Sequence, residues 1–78
     1  MTSRSHGGLR YAVVIEKARN NFSAYVPDLP GCVATGGTKA TVRRRIAQAI
    51  AMHLQGLRDD GIRVPRPTAE AEYIETAA

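Results

Sequence analysis

The sequence predicts a small α+β domain in which an antiparallel sheet of three or four strands is packed by one main helix, in the order β-β-β-α-β. Three observations carry the prediction. Apolar and polar residues alternate with a period of two on either side of Arg19-Asn20-Asn21. The seven residues Val26-Pro27-Asp28-Leu29-Pro30-Gly31-Cys32 then interrupt that pattern with two prolines. Beyond Gly36-Gly37 the apolar period changes to 3.6 and holds to the end of a long segment.

Arg10 to Ala18 is rich in β-branched and aromatic residues. A strand there places Tyr11, Val13 and Ile15 on one face, and Arg10, Ala12, Val14 and Glu16 on the other, because successive side chains point to opposite sides. Arg19-Asn20-Asn21 supplies a turn, since asparagine tolerates left-handed geometry. Phe22, Ala24 and Val26 then share a face opposite Ser23 and Tyr25, which completes a β-hairpin.

Pro27 and Pro30 each fix φ and remove a backbone donor, so neither fits a central strand or a helix interior. They push Val26 and Leu29 towards extended geometry, and Gly31 permits an angle that a Cβ resists. The expectation is a stiff, extended connection that turns sharply at Gly31. Leu29 and Cys32 are available for burial, while Asp28 faces water or caps nearby N–H groups. Cys32 to Thr35 is a third strand, ended by Gly36-Gly37.

Thr38 is placed to cap the helix, its hydroxyl accepting from an N–H of the first turn. From Lys39 to Asp60, residues Val42, Ile46, Ala49, Ile50, His53 and Leu57 draw one apolar stripe, with Ala47, Met52 and Leu54 flanking it. Gly61 is the expected left-handed C-cap, with Ile62 in accompanying contact, and Pro65 and Pro67 lie beyond the helix. Ala71 to Glu75, with Tyr73 and Ile74, reads as a fourth, edge strand. One domain over residues 10–75 is expected, between a mobile tail at 1–9 and a short tail at 76–78.

Seventy-eight residues with 44% hydrophobic and only 5% aromatic content give a thin core of Val, Ile, Leu and Ala. Small domains bury a low fraction of their surface, so self-association is a natural source of further burial. The single cysteine excludes an internal disulfide and a cysteine-based zinc site. No apolar leader or membrane-length run is seen, which points to the cytoplasm.

Catalytic chemistry finds little support. The seven carboxylates are scattered from Glu16 to Glu75, whereas metal-assisted hydrolysis needs several converging on one point. Cys32 and His53 could be nucleophile and base, but no third group orients them by pattern, and His53 lies on the apolar stripe. His6 stands in the tail without a partner at ligand spacing. The expectation is no enzyme, no catalytic residue, no metal and no cofactor. Arg43, Arg44 and Arg45 span most of a helical turn and point in different directions, either as a solvated face or as a nucleic-acid contact.

The hairpin, the Pro27 to Cys32 turn, Gly36-Gly37-Thr38 before the helix, His53-Leu54 near its end and the closing Gly61-Ile62-Arg63-Val64-Pro65 together resemble the HicB-like antitoxin family. The resemblance covers about Leu9 to Pro67. It implies a partial RNase H-like arrangement and the antitoxin half of a toxin–antitoxin pair. The implied partner is a small HicA-type toxin that cleaves RNA and is held inactive by occlusion of its active surface.

Three departures stand out. Lys39-Ala40-Thr41 replaces the acidic residues usual at the family's helix start, where the helix dipole favours negative charge. A net charge of +4 gives no global steering towards a basic toxin. The sequence ends at Ala78 without the C-terminal DNA-binding domain that many relatives add, so a short form is expected. The residues expected to touch the partner are Tyr25, Asp28, Leu29 and Pro30. A small sheet also leaves a strand edge of unpaired donors and acceptors, hence a homodimer or higher oligomer. The alternative is an orphan oligomer with a regulatory or nucleic-acid-binding role through Arg43, Arg44 and Arg45.

Overall fold

The computed structural model describes residues 8–77. The expected tail residues before Gly8, His6 among them, lie outside that range. Three strands, β1 (Val14–Lys17), β2 (Phe22–Tyr25) and β3 (Val33–Gly36), precede a single long helix, α1 (Lys39–Asp59). The sheet is antiparallel in the order β1-β2-β3, so every pair of sheet neighbours is also a pair of chain neighbours.

The hairpin closes where the asparagines predict it, with the Ala18 N–H donating to the Asn21 carbonyl at 2.8 Å. Its register sets Ile15 opposite Ala24, and Ala24 opposite Ala34, on the face towards α1. Small side chains at the last two positions let the helix approach closely. Helix α1 lies across β3 and β2 and makes few contacts with β1. The fully enclosed core is Ala24, Val26, Leu29, Cys32, Val42, Ile46 and Leu54, with Tyr11, Val13, Ile15, Phe22, Ala49, Ile50 and Leu57 packed around it.

Leu54, expected on the flank of the apolar stripe, is in the core, whereas Met52 is 75% exposed. The spacing 42-46-50-54 explains this: four-residue steps continue the buried row of Val42 and Ile46.

Both helix ends follow their local chemistry. The Thr38 hydroxyl accepts from the Thr41 N–H at 3.0 Å, as an N-cap does. At the other end the Gly61 N–H reaches the Arg58 carbonyl and the Ile62 N–H reaches the Leu57 carbonyl, with Gly61 at φ 72°. That double bond is the Schellman arrangement, which needs a left-handed residue at this point. Ile62 nonetheless remains 53% exposed.

Two further expectations differ from the structure. Residues 26–32 do not run extended. The Leu29 N–H returns to the Val26 carbonyl and the Cys32 N–H to the Leu29 carbonyl, both at 3.0 Å, while the Val26 N–H closes on the Cys32 carbonyl at 3.2 Å. This is a pair of successive turns. Pro30 followed by Gly31 at φ 84° has the backbone requirement of a type II turn. Second, no fourth strand forms among the described residues. Ala71 to Glu75 is unpaired, and Ile74 is 82% exposed. Two apolar residues in an acidic run provide too little burial to hold an edge strand on this sheet.

Candidate functional site

The sheet has one face under the helix and one without cover. Val14, Tyr25 and Val33 lie opposite one another across the three strands and form a row on the uncovered face. Tyr25 is 41% and Val33 62% exposed. An exposed apolar row of this kind is a feature of interaction surfaces. The double turn of residues 26–32 continues directly from Tyr25 and leads back to Val33.

The four residues expected to meet a partner have different environments here. Tyr25 and Pro30 are exposed, the first just before the double turn and the second within it. Leu29 is wholly buried, because the two turns fold its side chain inward beside Val26 and Cys32. It sets the shape of the loop that carries Pro30 and presents no surface of its own. Val33, which the sequence reading did not single out, belongs with Tyr25; its position opposite Tyr25 is a matter of register, to which local spacing gives no access.

Asp28 has a structural task. Its carboxylate accepts from the Thr68 N–H at 2.9 Å, the Thr68 hydroxyl at 2.9 Å and the Ala69 N–H at 3.0 Å. Tyr11 donates to the Pro65 carbonyl at 2.5 Å. Together these bonds clasp residues 65–69 against the end of the hairpin. The Ala69 N–H, followed by the N–H and hydroxyl of Thr68, holds the Asp28 carboxyl below the ordinary aspartate range. Burial, and then the negative charge of Asp28, raises the Tyr11 phenol.

The sign of the resulting pH dependence is fixed. A carboxylate whose folded pKa is depressed contributes its stabilisation above its unfolded pKa of about 3.9, and loses it as pH falls through the depressed value. Protection of the Thr68 and Ala69 amides, measured relative to their intrinsic exchange rates, is therefore expected to hold from neutral pH to about pH 4 and to fall below it. Asp28→Asn should remove that acid transition; an identical profile in the variant would assign the transition to other groups.

Cys32 and His53 do come together, lining a shallow groove with Gly31, Val33, Ala49 and Met52. The thiol is 3% exposed and its pKa is pushed up by burial, which disfavours the thiolate that nucleophilic chemistry requires. Among the described residues no three His, Cys, Asp or Glu side chains gather in a metal-binding group. None of the described helices is long and apolar enough to cross a membrane.

The three arginines divide by direction. Arg45 donates to the Thr35 carbonyl at 3.0 Å and so binds the helix to β3. Arg43 borders an apolar groove formed by Val13, Ile15, Ile46, Ala47 and Ile50, and Arg44 is exposed.

A family model described as the HicB-like antitoxin of bacterial toxin–antitoxin systems matches residues 11–78. The chain belongs to that family. Relatives of this HicB-like chain include an uncharacterised 14.9 kDa protein from the rep-hol intergenic region of Haemophilus phage HP1, 31% identical over 64 residues. That match covers 82% of this chain and 48% of the phage protein, so the chain spans about half of that relative's length. A UPF0150 protein of Thermoplasma acidophilum is 33% identical over 63 residues, covering 80% of this chain and 91% of the relative. Among solved structures, the HicA3 and HicB3 toxin–antitoxin complex contains a chain similar to this one, with a TM-score of 0.66 and 32% identity. The similarity covers 77% of the HicB-like chain described here and 70% of the chain matched. The three-stranded antiparallel sheet followed by one long helix is thus shared with a member of a toxin–antitoxin assembly.

Proposed function

We propose that this HicB-like chain is a non-catalytic antitoxin module that neutralises a small HicA-type, RNA-cleaving toxin by covering its active surface. The observation that carries the reading is the uncovered apolar row of Tyr25 and Val33, continued by Pro30 on the double turn. Family membership and the likeness to a chain of a toxin–antitoxin complex support it. Apolar and aromatic side chains on a rigid strand bind at low entropic cost, since the sheet already fixes them. Steric masking needs no catalytic group, which accords with a buried, protonated Cys32.

The test is titration of the purified chain with the HicA-type toxin from the same genome, read by calorimetry and by protection of an RNA substrate. The double variant Tyr25→Asp, Val33→Asp is expected to weaken toxin binding at least tenfold, about 1.4 kcal/mol or more, with the helical circular dichroism unchanged. A folded double variant that binds and protects as well as the parent would remove this face from consideration. Self-association has its own support: β1 is an edge strand little covered by α1, and the same chain carries an unpaired apolar segment at Tyr73-Ile74. An exposed strand edge and an exposed, unpaired segment offer a pairing donor and acceptor for a second copy. Light scattering of the chain alone, run beside the titration, separates a dimer from a monomer.

A further inference from the structure

The fold sorts charge along the molecule. The hairpin turn, the end of β3 and the start of α1 lie at one end, because Lys17 pairs with Phe22 and Phe22 with Gly36, three residues before the helix begins. Lys17, Arg19, Lys39, Arg43, Arg44 and Arg45 belong to that end, where Glu16 is the one carboxylate on the strands and the first turns of the helix. The remaining acidic residues are Asp28 in the double turn, Asp59 and Asp60 at the helix C-terminus, and Glu70, Glu72 and Glu75 in the last segment. The sequence-distant basic residues are therefore one surface, and the modest net charge of +4 conceals its strength.

We infer that this basic end binds the phosphate backbone of double-stranded nucleic acid. Arg45 is engaged with the Thr35 carbonyl, which leaves Lys17, Arg19, Lys39, Arg43 and Arg44 as the exposed cations of this end. No acidic side chain occupies the first turn of α1, so the positive end of its dipole adds to the same field. Binding through the backbone follows from what the surface lacks. Its aromatic residue, Phe22, is half-buried against the core, which leaves little of its ring for an unpaired base to stack on. Its exposed cations can meet phosphates of any sequence. A lipid surface fits less well, because the exposed apolar residues of the sheet and helix, Tyr25, Val33 and Met52, lie away from this end. The surface is separate from the Tyr25–Val33 row, so the inference stands independently of toxin binding.

The experiment is fluorescence anisotropy with labelled 20-base-pair duplexes of RNA and of DNA, each in two unrelated sequences. Five phosphate contacts give a slope of about −4.5 in log affinity against log salt, a loss of roughly 10²–10³-fold between 50 and 200 mM. Affinity should be nearly equal for the two sequences of each duplex. The variant Lys39→Glu, Arg43→Glu, Arg44→Glu should lose binding by at least 100-fold, whereas Arg10→Glu, Arg63→Glu, Arg66→Glu, with the same change in net charge at the other end, should retain most of it. If the first variant fails to fold, Lys17→Ser, Arg19→Ser on the hairpin turn serves instead, with a loss of tenfold or more expected. Absence of binding at 50 mM salt, equal losses in the two triple variants, or equally tight binding to polyglutamate or to vesicles of phosphatidylserine would overturn the inference.

Discussion

Leu29→Ala is expected to lower the unfolding free energy by about 2–5 kcal/mol, the range for emptying a fully buried leucine site. A domain of this length has roughly 4–12 kcal/mol in total, so the variant should approach the limit of stability. The reason lies in the backbone around the residue. Leu29 is both the end of the first turn, through its N–H, and the start of the second, through its carbonyl. Its side chain is wholly enclosed with Val26, Cys32 and Val42 in the same core. Those hydrogen bonds oppose collapse of the loop into the vacated space, so the cavity persists. Urea unfolding followed by circular dichroism measures the loss. Pro30→Ala, at the exposed neighbouring position, should cost far less. A Leu29→Ala midpoint close to that of the parent would mean that the loop repacks, and that Leu29 is not the anchor described above.

Gly36→Ala is expected to be the second most damaging single change, by about 1–3 kcal/mol. Gly36 ends β3 and sits against the first turn of α1. A Cβ there would lie 2.8 Å from the Val42 nitrogen, 3.1 Å from its Cα and 3.0 Å from the Thr41 Cγ2. Two of those three atoms are helix backbone, which cannot move aside without shifting α1 on the sheet. At Gly37, one residue on, a Cβ would meet nothing within 4 Å. Gly37→Ala should therefore fall within about 0.5 kcal/mol of the parent, and the pair forms an internal control for thermal melts. Similar melting temperatures for the two variants would show that the close approach relaxes at little cost.

The contrast between these glycines illustrates which parts of the fold are legible in the sequence. Alternation in Phe22, Ala24 and Val26, the Thr38 cap, the helical stripe and the Gly61 stop all rest on interactions within a few residues, and each has its expected structure. Gly36 and Gly37 look alike as a turn signal, yet only the tertiary approach of α1 distinguishes them. Asp28 shows the same division. Its type and setting suggest capping of nearby N–H groups, but the groups it caps are Thr68 and Ala69, forty residues away. Leu29, read as a contact residue, is enclosed because its two flanking turns close on each other, a result of hydrogen bonds that composition does not encode. Tyr73 and Ile74 suggest a strand by residue type, but a strand also needs a neighbour, and none is paired with them here.

The order β1-β2-β3 followed directly by a helix across β3 has a kinetic consequence. Each sheet element meets the one made just before it, so assembly proceeds by closing short loops, the entropically cheapest sequence of steps available to a β-containing chain. The long closures are those that bring residues 65–69 back to Tyr11 and Asp28. Sheet and helix can therefore form while the chain beyond Pro65 is still unattached, and that segment docks onto a scaffold already in place. Release of residues 65–69 is expected to leave the core intact, since none of them belongs to it.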